Sequence, residues 1–237
     1  MICDIFIRTY DKDVKWLDFC VKSIHKYAKG FQDIIIVYPH NSIYCHNYSN
    51  NSFAIKEICS DGYIDQQLTK LKADEFCKEN TTHILFVDSD CCFYDYFTPE
   101  TYLLNNDPII CITPYSNINP LALIWKEVTS NILNKKIEYE FMRRQPLMYR
   151  KNAIHDFRKW FLEHKNISIE EFMKNVKERY VSEFNLLGAY LYYFRKEKDH
   201  VFLDTTIGEV PYNPCVQNYS WDGLTPEIER QLNNFIK

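Results

Sequence analysis

HILFVDSDCCF, residues 83–93, decides how the rest of the chain is read. Residues 84–87 are apolar and run straight into Asp88-Ser89-Asp90. A short apolar run of this kind is the pattern of a strand buried on both faces. The carboxylates then stand at its carboxyl end, where open α/β sheets bind their ligands. In extended chain, residues i and i+2 point to the same side, so Asp88 and Asp90 can face one cleft. Spacing alone carries little weight. With 16 Asp in 237 residues, about one Asp-x-Asp arises by chance, and a second is present at Asp11-Lys12-Asp13. Asp11 and Asp13 follow a more polar stretch and precede a helix, so capping is their plainer role. For residues 88–90 the competing reading is a turn whose Asp caps whatever follows.

Outward from this strand, the first half alternates strand and helix. Residues 2–9 read as a strand. Asp13 then caps a helix carrying Leu17, Val21, Ile24 and Ala28 at helical spacing. Gly30 ends that helix, 34–38 is a short apolar strand, and a polar loop rich in Asn, Ser and Tyr runs to about Ser52. A weak strand is expected at 55–59, a turn at Asp61-Gly62, and a helix through Ile64, Leu68 and Leu71. Another strand follows at 109–113. Short apolar strands alternating with helices predict an α/β fold with a mainly parallel sheet flanked by helices. The second half is more helical. Helices are predicted over 121–133, with apolar residues at 121, 124, 128 and 132, and over 153–164, with Ile154, Phe157 and Phe161. Ser168 to Glu171 form a capping box, 183–194 a largely buried helix, and Thr225-Pro226 the start of a last helix.

The totals suit one domain, 1–237, with a substantial core. Aromatics reach 16%. A Tyr- and Phe-rich core explains them more plainly than a stacking surface for sugars or bases. A net charge of −4 disfavours a general nucleic-acid binder, and local pairs such as Arg143-Arg144 and Arg195-Lys196 read as solvated faces. The start of the chain has no basic leader or cleavage site, and no apolar run approaches the ~20 residues of a membrane span. Nine Cys, none in C-x-x-C spacing, fit buried free thiols in a reducing compartment. A soluble, cytoplasmic protein is expected.

Five Gly, no two closer than 15 residues, exclude the dinucleotide fingerprint and the P-loop. Both need closely spaced glycines to bring backbone N–H groups onto phosphate. A chain that binds a diphosphate without them must neutralise it another way; a metal is the obvious one, and the hard oxygens of Asp88 and Asp90 suit Mg²⁺ or Mn²⁺.

"ILFVDSD" resembles the Asp-x-Asp motif of GT-A-fold glycosyltransferases. "FIRTYDKDVKWLDFCVKSIHKY" resembles the opening nucleotide-binding strand and helix of that fold. "DQQLTKLKAD" and "VSEFNLLGAYLYYF" resemble segments of small GT-A-like proteins from bacteria and large DNA viruses. Together these segments span most of residues 1–195. The Ile-, Asn-, Lys- and Tyr-rich composition is compatible with an AT-rich viral genome, which would put the protein in a host cytoplasm.

The resemblance implies a nucleotide-sugar-binding half, 1–115, and an acceptor-binding half, 116–237. It makes Asp90 the metal ligand, with Asp88 on the ribose or a metal-bound water. Arg8, Thr9 and Asp11 would lie near the nucleotide, Ser89 in the donor site, and Gln67 and Lys70 would face the donor. Glu183 would be the general base or an acceptor-positioning carboxylate; at a helix start it also serves simply as a favourable charge. Many GT-A enzymes add a C-terminal His ligand, but no His follows His200 here. In "NYSWDG", Trp221 would close over the donor, with Asp222 a second catalytic candidate. The implied activity is sugar transfer from a nucleoside diphosphate, a UDP-sugar foremost, to a hydroxyl of a glycan or protein, with Mn²⁺ or Mg²⁺. Two alternatives stand. A haloacid-dehalogenase-type phosphatase also ends a strand in Asp-x-Asp, but Cys92 stands where Thr or Val is usual and no later Gly-Asp-x-x-x-Asp segment follows. A non-catalytic sugar-nucleotide-binding relative is the other.

Overall fold

In the computed structural model, which describes residues 1–43, 51–143, 145–177 and 179–237, apolar strands form a mixed α/β structure around a mostly parallel sheet. The first half contains β1 (Cys3–Arg8), α1 (Val14–Tyr27), β2 (Ile34–Pro39), β3 (Asn51–Ile55), α2 (Gly62–Lys70), β4 (His83–Phe86), β5 (Cys91–Phe93), β6 (Leu103–Leu104) and β7 (Asp107–Pro114). The second contains α3 (Leu123–Leu133), β8 (Tyr139–Glu140), β9 (Leu147–Arg150), α4 (Lys151–Lys165), α5 (Ile169–Asn175), α6 (Glu183–Tyr193), β10 (Val201–Asp204), β11 (Cys215–Gln217) and α7 (Pro226–Ile236).

The central sheet has the order β3-β2-β1-β4-β9. Its first four strands are parallel, and β9 runs antiparallel to β4. Burial on both faces is visible in the alternation along each strand. Phe6, Ile35, Val37, Ile84 and Phe86 enter one core cluster; Ile5, Ile7, Ile36, Leu85 and Val87 enter the other. That is why these strands read as continuous apolar runs. A second sheet pairs β10 parallel and β6 antiparallel with β7, while β11 pairs antiparallel with β5.

The helices follow their apolar faces. In α1, Leu17, Val21 and Ile24 are buried; in α4, Ala153, Ile154, Phe157 and Phe161 are. Ser168 and Thr225 accept the N3 backbone N–H of α5 and α7, as N-caps do. Two expectations need correction. The strand after β2 lies at Asn51–Ile55, not 55–59, because its pairing with β2 sets Ile35 against Asn51 and this half-exposed edge needs few apolar residues. Its polar approach falls mostly at 44–50, outside the described residues, as does Arg144 of the arginine pair. Helix α3 begins at Leu123 after a 3₁₀ turn and Leu121 is 82% exposed; Val128 and Ile132 pack against the core as expected, with Thr129 and Leu133 buried beside them. The described cysteines are free thiols. Among the described residues no helix is long and apolar enough to cross a membrane.

Candidate functional site

Strand order reverses between β1 and β4: the chain moves outward through β2 and β3, then returns to β4 on the other side of β1. Such a switch point opens a crevice beyond the carboxyl ends of the strands. Asp88 and Asp90 emerge there from β4, and Arg8 and Thr9 from β1. The Phe6–Phe86 register fixes their level, and the Val87 N–H donates to the Phe6 carbonyl at 3.0 Å.

The carboxylates at the crevice belong to one connected row. Lys70 Nζ lies 2.7 Å from Asp88 Oδ1 and 2.7 Å from Glu183 Oε1. Gln217 Nε2 donates to Asp88 Oδ2 at 3.2 Å and reaches Asp90 Oδ1 at 3.5 Å. The Ser220 backbone N–H donates to Asp90 Oδ2 at 3.0 Å. Asp13 joins from the start of α1: Ser89 Oγ donates to its Oδ2 at 3.3 Å.

Electrostatics follow from crowding and burial. Burial first, then the Asp88 charge, pushes the Asp90 carboxyl up to about 7. Burial likewise raises Asp13, with Asp88 adding to it. Burial opposes the Lys70 charge, but Asp88 and Glu183 outweigh that, and the ammonium is held protonated. Glu183 is raised by burial despite Lys70, with Asp88 adding to the rise. A buried cation shared between two carboxylates fixes their positions relative to each other.

The remaining sequence candidates take varied places. Gln67 and Lys70, one helical turn apart, both grip the start of α6: Gln67 Oε1 accepts the Glu183 N–H at 3.1 Å while Lys70 holds the side chain. Arg8 is buried and ion-paired with Glu57 at 3.4 Å and Asp65 at 3.6 Å. Asp65 in turn accepts the N–H groups of Ile58 and Cys59. Arg8 Nε and Thr9 Oγ1 remain buried without partners, so two hydrogen-bonding groups beside the crevice are unmet. Asp11 accepts the Ile43 N–H through both oxygens, at 3.0 and 2.9 Å. Trp221 is 77% exposed and stacks on Tyr219 with ring centroids 4.5 Å apart; Asp222 is exposed beside it.

Sequence reasoning missed three members of the row. Asp13 occupies the helix N-cap position but makes no capping hydrogen bond. Its carboxylate turns instead to Ser89, and its own Asp-x-Asp spacing was the available signal. Gln217 and Ser220 lie 127 and 130 residues from Asp90, brought back by β11 pairing with β5, and no local pattern announces them.

Among the described residues, no group of three or more His, Cys, Asp or Glu side chains is arranged to hold a metal by itself. The donor chemistry nonetheless suits a hard cation. Asp90 offers oxygens with lone pairs to spare, and the raised acids Asp13 and Asp90 would both be relieved by positive charge. Mg²⁺ and Mn²⁺ are commonly held by one or two carboxylates, with waters and substrate phosphates completing the shell. Asp90 would be the direct ligand, because Lys70 already neutralises Asp88. No protein-family model matches the chain, and none of the curated proteins matches it at a significant level.

Proposed function

We propose that this chain is a metal-dependent glycosyltransferase of the GT-A type, moving a sugar from a nucleoside-diphosphate donor, foremost a UDP-sugar, to an acceptor hydroxyl. The observation that carries the reading is the row Asp90–Asp88–Lys70–Glu183 across the β1/β4 switch point. It joins a carboxylate suited to a diphosphate-bound cation with a carboxylate suited to an acceptor. A Mn²⁺ or Mg²⁺ on Asp90 would stabilise the departing diphosphate. Arg8 Nε and Thr9 Oγ1 offer the nucleotide a donor and a hydroxyl at the end of β1. Lys70 pairs with Asp88 and orients Glu183, which would position the acceptor hydroxyl or take its proton. The Gln217–Asp222 segment covers the same carboxylates from the C-terminal side.

The test is release of nucleoside diphosphate from UDP- and GDP-sugars, with and without Mn²⁺. Turnover that needs Mn²⁺ and is lost in Asp90→Asn supports the reading; undiminished turnover in that variant removes Asp90 from it. Phosphate release from an aryl phosphate in place of sugar transfer would support the phosphatase alternative. Donor binding without turnover would support a non-catalytic relative.

A further inference from the structure

Three aromatic side chains at the Glu183 end of the row are not fully buried. Tyr63 is half-buried on the first turn of α2, Trp125 half-buried on the first turn of α3, and Tyr180 is 47% exposed just before α6. Trp125 and Tyr180 meet edge to face, with centroids 5.7 Å apart at 83°. The Tyr63 hydroxyl donates to the Val181 carbonyl at 3.3 Å and lies within electrostatic reach of Glu183 and Lys70. The Trp125 indole N–H is buried and points towards Tyr63 without closing a hydrogen bond of normal geometry. A purely structural Trp normally satisfies that group. Arg179 lies over the Tyr63 ring at 5.4 Å and is ion-paired with Asp61 at 2.9 Å.

From this, and resting on the glycosyltransferase reading, we propose that Tyr63, Trp125 and Tyr180 form the acceptor subsite and that its occupant is a sugar ring, so the acceptor is a glycan. A pyranose has an apolar C–H face and a rim of hydroxyls. The wall has the complementary make-up: aromatic faces of low conformational-entropy cost, an unmet N–H, and the Glu183 carboxylate beyond Tyr63. A charged peptide would find the local Arg179–Asp61 ion pair already closed. The wall adjoins the Glu183 end of the row, whereas Tyr219 and Trp221 flank the Asp90 end. Acceptor and donor would therefore reach the crevice from opposite sides.

The experiment uses the full chain and short malto-, cello- and chito-oligosaccharides, with binding followed by ligand-observed NMR. A separate measurement of thermal unfolding with UDP or GDP plus Mn²⁺ reports the donor site. Binding of at least one oligosaccharide series is expected. Replacing Tyr180, an exposed residue, by Ala and Trp125 by Leu should each weaken it about tenfold, the order of one lost aromatic contact. The nucleotide–Mn²⁺ response of both variants should stay unchanged. Equal oligosaccharide binding by both variants and the parent would overturn the subsite. So would a nucleotide–Mn²⁺ response with no oligosaccharide binding, or sugar transfer to a peptide alone. Absence of any nucleotide response would instead remove the glycosyltransferase reading on which the subsite rests.

Discussion

Replacing Lys70 by Met strips the shared cation from Asp88 and Glu183 without leaving a large void. The Lys70 and Glu183 side chains are each 5% exposed, and that of Asp88 is 22%. Removing one partner of a buried ion pair typically costs about 3–5 kcal/mol, because the remaining charge is stranded. Asp88 retains some water and Glu183 can take up a proton, so the lower end, about 3 kcal/mol, is expected at neutral pH. For a chain of this size that corresponds to a Tm fall of roughly 6–12 °C. The sign of the pH dependence follows from the Glu183 proton. In Lys70→Met its folded pKa lies further above the unfolded value, so the variant's deficit is smallest in acid and widens as pH rises through that raised value. Adding Glu183→Leu removes one stranded acid, so the double variant should be more stable than the sum of the singles by about 1–3 kcal/mol. Thermal and urea unfolding of all four proteins at pH 5 and pH 8 measure this. A Tm fall under about 2 °C in Lys70→Met at pH 8, or strict additivity, would refute a shared buried cation.

Two further perturbations test the second half of the chain. Glu140 is buried, with Arg143 3.1 Å from one oxygen and no partner on the other, and burial pushes its carboxyl up to about 7. A raised carboxyl contributes stability in acid that is lost as pH rises from about 4.5 to about 7. Glu140→Gln should therefore gain on the order of 2 kcal/mol relative to the parent between pH 5 and pH 8; an unchanged difference in urea unfolding would contradict this. Gly188→Ala would set a Cβ 2.4 Å from Phe141 Cβ, inside the buried face of α6. It should destabilise by about 1–3 kcal/mol or more despite the better helix former, and a stabilised variant would show that α6 can move away from Phe141.

What was legible in the sequence is what depends on local pattern. β4 and its carboxylates could be read because a strand buried on both faces must be apolar throughout. α6 could be read because eight of its first nine residues after the Ser182 cap, Phe184 to Leu191, follow one buried acid and are themselves buried. Lys70 was visible as a helix residue on the right face but not as a buried one, since only Asp88 and Glu183 together make that burial tolerable. Edge strand β3 was displaced because its half-exposed positions carry polar residues. Asp13 was assigned to capping because an Asp before a helix usually caps; the crevice competes for the same carboxylate and takes it. Gln217 and Ser220 depend on the return of β11 to β5, a long-range pairing with no short-range signature.

In the proposed function, Asp90 anchors a cation-dependent nucleotide site at the β1/β4 crevice. Thermal unfolding with UDP and GDP, each with and without Mn²⁺, tests it most directly. A ligand at about 100 times its Kd adds roughly 2.7 kcal/mol, which for this chain is a Tm rise of about 5–10 °C. Such a rise is expected with one nucleotide only when Mn²⁺ is present, and is expected to be lost in Asp90→Ala. No rise with either nucleotide, or a rise undiminished in Asp90→Ala, would contradict it.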